Sequence, residues 1–207
     1  MSLAVAEKFY NAAAFDRVSE VLSLLQKHPE INVNRFGFDV NWRDPIHWTP
    51  LHIASISGHV EVVKVLLAHS AISVNLQNRN GRTAFSKASE WGQVPIVRLL
   101  LKDPRVDVTL GDDGGRTPLW RALHEERRKA IEWLIASGRD LGDVNGQKGT
   151  HWDGKEYSAL ELARELVKNE VLAVLERFVA NPTQTRQEIR KKLNFKGLLL
   201  FPFSFSL

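Results

Sequence analysis

The side chains best suited to chemistry near neutral pH are seven histidines. His47, His52 and His59 lie near one another, but none has a carboxylate or second histidine at a ligand spacing such as HExxH. The run Gly111-Asp112-Asp113-Gly114-Gly115-Arg116 is glycine-rich, yet it lacks the Lys-Ser/Thr of a phosphate loop. It also lacks the alternating ligands and closing Glu of a calcium loop. No serine or threonine stands in a nucleophile motif, and the absence of cysteine excludes disulfides and thiolate zinc. The sequence therefore predicts no enzyme, no metal and no cofactor. Two basic groups remain. Arg121, Arg127, Arg128 and Lys129 are interleaved with Glu125 and Glu126. They suit a solvated helix face whose ion pairs contribute little, or else a docking site for an acidic peptide or phosphate. Arg190-Lys191-Lys192 could contact nucleic acid or anionic lipid.

Charge separates these groups further. The formal net charge is +4, and residues 181–207 alone carry five basic side chains against Glu188. The preceding 180 residues balance at zero, so the main body gives no sign of the basic stripe that nucleic-acid binding requires. Composition is that of a globular chain, 43% hydrophobic and 25% charged. The N-terminus has no basic start followed by a sustained apolar core, so no secretory signal is expected. We expect an intracellular monomer, cytoplasmic or nuclear.

The elements that position these side chains come from a repeated word. Trp48-Thr49-Pro50-Leu51-His52-Ile53-Ala54 leads through Gly58 to Val60-Glu61-Val62-Val63-Lys64-Val65-Leu66-Leu67. Variants begin at Arg82-Thr83, Arg116-Thr117 and Tyr157-Ser158, at steps of 34, 34 and 41 residues. Thr49 has the side chain of an N-cap, and Pro50 suits the first helical position. Gly58 permits a positive-φ turn. Val62, Val63, Leu66 and Leu67 form an apolar stripe of helical period. Two short helices cannot bury that surface alone, so the copies must stack. This word at this period resembles the ankyrin repeat. The resemblance implies an all-α solenoid of about five helix-turn-helix copies, joined by hairpin-like loops, that binds a protein on a concave face.

An ankyrin repeat domain is expected over 1–180, with a degenerate first copy at 4–34 and further copies at 44–77, 78–111, 112–153 and 154–180. An enlarged aromatic loop, Phe36 to Trp42, precedes the second copy. In the third, Ser86 replaces the histidine and removes a group the family uses between copies. In the fourth, Glu126 replaces the inter-helix glycine, and we expect the first helix to run on through it. Leu141 to Gly154 reads as a long flexible finger in which Trp152 either packs back or makes contacts. Trp133 is assigned to the core. Residues 181–207 form a basic-apolar tail: a helix from about Gln184 to Lys192, then the apolar end Gly197 to Leu207, too short to span a bilayer. Its start, Asn181 to Arg186, resembles a flank that follows ankyrin arrays in some fungal and protist proteins.

Carried over from the family position by position, the partner-binding residues are Ile46, Trp48 and Ile56 in the second copy and Arg79, Arg82 and Trp91 in the third. Arg116 and His124 follow in the fourth copy, and Tyr157 in the fifth. Aromatic residues with nearby arginine are common interface anchors. The rival expectation is a nucleic-acid or membrane-surface adaptor acting through the basic-apolar tail.

Overall fold

A computed structural model of the chain describes residues 3–29, 31, 33, 47–167 and 170–195. The aromatic loop from Phe36 to Trp42, Ile46 and the apolar end from Gly197 lie outside the described residues.

Helices come in pairs. They are α1 (Leu3–Ala14) with α2 (Val18–Lys27), α3 (Pro50–Ser57) with α4 (Val60–Ala68), and α5 (Ala84–Glu90) with α6 (Val94–Lys102). Next come α7 (Pro118–His124) with α8 (Arg128–Ala136), and α9 (Ala159–Leu162), prolonged by a π-helical turn at Ala163–Val167, with α10 (Glu170–Ala180). First helices pack on first helices and second on second, giving an all-α solenoid of two layers. Each first helix from α3 onward is capped as its sequence word predicts. Thr49, Thr83, Thr117 and Ser158 accept hydrogen bonds from the amides of His52, Ser86, Trp120 and Glu161. Such caps are worth about 1 kcal/mol each.

The second helices bury the same stripe in successive copies. Val62, Val63, Leu66 and Leu67 are matched by Ile96, Val97, Leu100 and Leu101, then by Ala130, Ile131, Leu134 and Ile135. These residues belong to one continuous core that runs from Phe9 to Ile189. Trp133 is only partly buried, its ring beneath the Arg98 guanidinium at 4.3 Å.

Turns between paired helices need a left-handed residue. Gly58 (φ 82°) and Gly92 (φ 66°) supply it cheaply, whereas Asp16 (φ 55°) and Glu126 (φ 53°) do so under strain. The expected extension of α7 does not occur. The helix stops at His124, and Glu126 takes up the turn geometry despite its Cβ.

Side chains stitch neighbouring copies by donating to backbone carbonyls. The residue after each turn reaches the first helix of the preceding copy: His59 Nε2 to Ala14 at 2.8 Å, Gln93 Nε2 to Ile56 at 2.8 Å, and Arg127 Nε to Glu90 at 2.9 Å. A second row joins the ends of the second helices, with Arg105 donating to Leu67 at 2.7 Å and Arg139 to Leu101 at 3.3 Å. A third joins a first helix to the residue just before the next copy's cap. His52 Nε2 meets the Arg82 carbonyl at 2.8 Å, and the indole N–H of Trp120, at the same position of its copy, donates to the Tyr157 carbonyl at 3.0 Å. Ser86 stands between them in register, too short to follow, and its hydroxyl is buried without a partner among the described residues.

The expected flexible finger is an ordered hairpin. Strands β1 (Lys148–Thr150) and β2 (Glu156–Ser158) pair antiparallel, and the Thr150 amide donates to the Gly114 carbonyl at 2.8 Å. Gly149 permits that close seat, because a Cβ there would lie 2.6 Å from Arg116 Cγ. The final helix, α11 (Pro182–Lys192), starts two residues earlier than expected, with the Asn181 side chain accepting from the Gln184 amide. It packs on α8 and α10. Its Arg190 and Arg186 donate to the carbonyls of Ala136 (2.7 Å) and Arg139 (3.0 Å), while Lys192 pairs with Glu132 at 2.6 Å.

Candidate functional site

The caps fix where side chains leave the first-helix layer. The residue just before each cap gives a row of Trp48, Arg82, Arg116 and Tyr157 across four copies, all partly exposed. Four residues after the cap stand Ile53, Lys87 and Arg121 in successive copies. These rows form two connected clusters.

In the first cluster, the Lys87 ammonium lies 5.9 Å from the Trp48 ring and 6.0 Å from the Trp91 ring, and it pairs with Glu90. Trp91 is 54% exposed, while the Trp48 indole N–H is buried without an acceptor among the described residues. Burial drives the pKa of Lys87 below its usual value, and the charges of Arg82 and Arg121 act in the same direction against Glu90. Arg82 donates from Nη1 to Glu90 at 3.4 Å, and its Nε lies 3.6 Å from Asp112.

Asp112 links this cluster to the next. Its side chain is fully buried, accepts from Arg116 Nε at 2.9 Å and pairs with Arg121. Burial alone would raise its pKa, but hydrogen bonds from Arg121 and Arg116 outweigh that and hold it below the usual carboxylate range. Asp112 Oδ1 also accepts the Gly114 amide at 3.0 Å, so one carboxylate shapes the hairpin and anchors both arginines.

The second cluster is aromatic. His124 stacks on Trp120 with centroids 5.3 Å apart, and buried His151 lies 5.2 Å from His124 and 5.8 Å from Tyr157. Trp152 lies tilted beside His151 at 5.1 Å, yet it is 83% exposed, so it does not pack back on the array. No group of three or more histidine, aspartate or glutamate side chains among the described residues is placed to hold a metal ion.

The structure thus gathers Trp48, Arg82 and Trp91 in one cluster, and Arg116, His124 and Tyr157 in the other. Ile56 is half-buried, and Arg79 is exposed without an ion pair among the described residues; Ile46 lies outside them. Arg121 departs from the solvated-face expectation: it is 5% exposed and turned inward onto Asp112, away from Arg127 and Arg128. Lys87 and Asp112 escaped the sequence reading. Their signal was register, since Lys87 and Arg121 hold equivalent positions in consecutive copies, as do Asn78 and Asp112.

Stacked helix pairs with a stitched backbone and a side-chain-rich first-helix face define a repeat-solenoid scaffold. The sequence model of ankyrin repeats, in three copies, matches residues 9–112 and 72–145, more than half of the chain. The protein belongs to the ankyrin repeat family. Ankyrin repeats are generally protein–protein interaction modules and typically not enzymes. Similar proteins include Ankyrin repeat domain-containing protein 13B of mouse and human, each 46% identical over 50 residues. Human Rabankyrin-5 is 38% identical over 53 residues. The aligned stretches are 24% and 26% of this chain but only 8% and 4% of those relatives. No helix among the described residues is long and apolar enough to cross a membrane.

Proposed function

We propose that this chain binds another protein through the outward face of its first-helix layer, the face that membership of the family makes concave. Trp48, Trp91 and Tyr157 act as anchors and Arg82 and Arg116 as polar contacts, in a monomer working inside the cell. The carrying observation is Trp91: a large aromatic side chain, 54% exposed, beside the Lys87 ammonium that also faces Trp48. Such a surface is preformed, so binding costs little ordering entropy, and no bond is made or broken. The basic tail offers less support for an adaptor role, because Arg186, Arg190 and Lys192 are engaged with the array.

The test is affinity capture from cell lysate with the full chain, Trp48→Ala with Trp91→Ala, and a tail variant ending at Phe195 with Lys191→Glu. Matching helical circular dichroism and cooperative melts establish that each bait is folded. A partner kept by the tail variant and lost by the double mutant is the expected result. A partner lost only by the tail variant would overturn the reading.

A further inference from the structure

We infer that the segment bound on this face is an acidic peptide, whose Asp or Glu carboxylates sit against Arg82 and Arg116 between the flanking rings of Trp48 and Tyr157. The inference rests on the binding face proposed above and names the chemistry of its partner.

Four cations, Arg82, Lys87, Arg116 and Arg121, crowd around two carboxylates. Asp112 receives Arg116 and Arg121, with Arg82 at 3.6 Å. Glu90 receives Lys87, Arg82 at 3.4 Å and Arg121 at 3.8 Å. Each carboxylate is shared by three cations, and the cluster is left two positive charges in excess. Among the described residues, nearby groups do not supply the difference. Glu125 is engaged by His124 at 2.9 Å and lies 3.9 Å from Arg127, and Arg79 adds a further cation. The exposed Asp113 on the hairpin offsets no more than Arg79.

An excess of like charge costs more here than at an open surface. The Lys87 and Arg121 side chains are each 6% exposed, so water screens them poorly. The buried Arg82 Nε–H has no acceptor within hydrogen-bond distance among the described residues, Asp112 lying at 3.6 Å. Only Arg82 (21% exposed) and Arg116 (25%) open the cluster to solvent. A carboxylate at the solvent-facing side of these two guanidiniums supplies the missing negative charge through charge-assisted hydrogen bonds. Flanking aromatic rings suit a peptide with apolar side chains among its acidic ones. A nucleic-acid backbone fits less well, since residues 1–180 are neutral overall.

The test titrates the full chain with a fluorescein-labelled peptide of mixed Glu and Leu, followed by anisotropy. The same peptide with Gln at every Glu position serves as control, and inorganic phosphate and a single-stranded RNA oligonucleotide serve as competitors. The Glu peptide is expected to bind about ten-fold or more tightly than the Gln peptide, less so as salt rises. Arg82→Gln or Arg116→Gln each removes about ten-fold in affinity. Glu90→Gln acts in the opposite sense and tightens binding several-fold, because it removes a competing carboxylate; a merely structural role for the cluster would not produce that gain. Equal binding of the Gln peptide, weaker binding in Glu90→Gln, or stronger displacement by phosphate or RNA would each overturn the inference. A cellular partner that depends on Trp48 and Trp91 but resists displacement by the Glu peptide would keep the binding face and remove only its acidic preference.

Discussion

His52 should make the stability of this array fall with acid in a way one substitution abolishes. The ring is 1% exposed, accepts the Thr49 amide at Nδ1 (3.2 Å) and meets the Arg82 carbonyl through Nε2 (2.8 Å). A proton on Nδ1 would face a donor. Burial, assisted by the charge of Lys87, lowers its pKa from 6.5 to about 4, against the opposing pull of the Arg82 carbonyl. The folded chain therefore holds this proton more weakly than the unfolded chain. The associated stability is complete above pH 6.5 and drains away as pH falls towards 4. At about 1.36 kcal/mol per pKa unit, linkage gives a loss of about 2 kcal/mol between pH 7.5 and 5, and about 3 kcal/mol by pH 4. The assay is urea unfolding of wild type and His52→Gln at several pH values and constant ionic strength. The difference between the two proteins cancels groups that titrate alike in both. Wild type should be the more stable at pH 7.5, and its advantage should shrink by about 2 kcal/mol at pH 5. An advantage unchanged across that range would refute the argument.

Glu126→Gly should stabilise the array by about 1 kcal/mol, seen as a higher urea midpoint, because an exposed side chain leaves a left-handed turn. Trp120→Phe keeps an aromatic ring but deletes the donor to Tyr157 and part of a buried side chain, and should cost about 2–3 kcal/mol with faster amide exchange in β2. Asp112→Asn leaves Arg121 buried without its principal counter-charge, so denaturant melts should show a loss of about 3 kcal/mol or more.

Repetition made the fold legible. Thr49, Thr83 and Thr117 mark helix starts by a local hydrogen bond, and the stripe from Val62 to Leu67 recurs in register, so caps and core follow from short stretches of chain. Less legible was whatever depends on the neighbouring copy. Glu126 gives no local sign of a positive φ, because the tight connection between α7 and α8 imposes it. Arg121 sits among charged residues in sequence, yet its direction is set by Asp112, nine positions earlier and across a hairpin. The finger's four glycines suggested freedom, but Gly149 lets the hairpin lie against Arg116 and Trp120. Equivalence between His52 and Trp120 was also out of reach, since an imidazole and an indole share only a correctly placed N–H.

The three rows of stitches have a consequence for how such a chain can change over time. Their acceptors are main-chain carbonyls, which every amino acid provides, so one half of each joint is immune to mutation. Histidine, glutamine and arginine all serve in a single row for that reason. Outward-facing residues elsewhere can therefore drift towards new partners without disturbing assembly. In the third row, between the third and fourth copies, that freedom is curtailed. Ser86 makes no stitch there, and side chain meets side chain through Arg82, Glu90, Asp112 and Arg121. Folding ties these four side chains to one another, so a change at any of them must be answered by the other three.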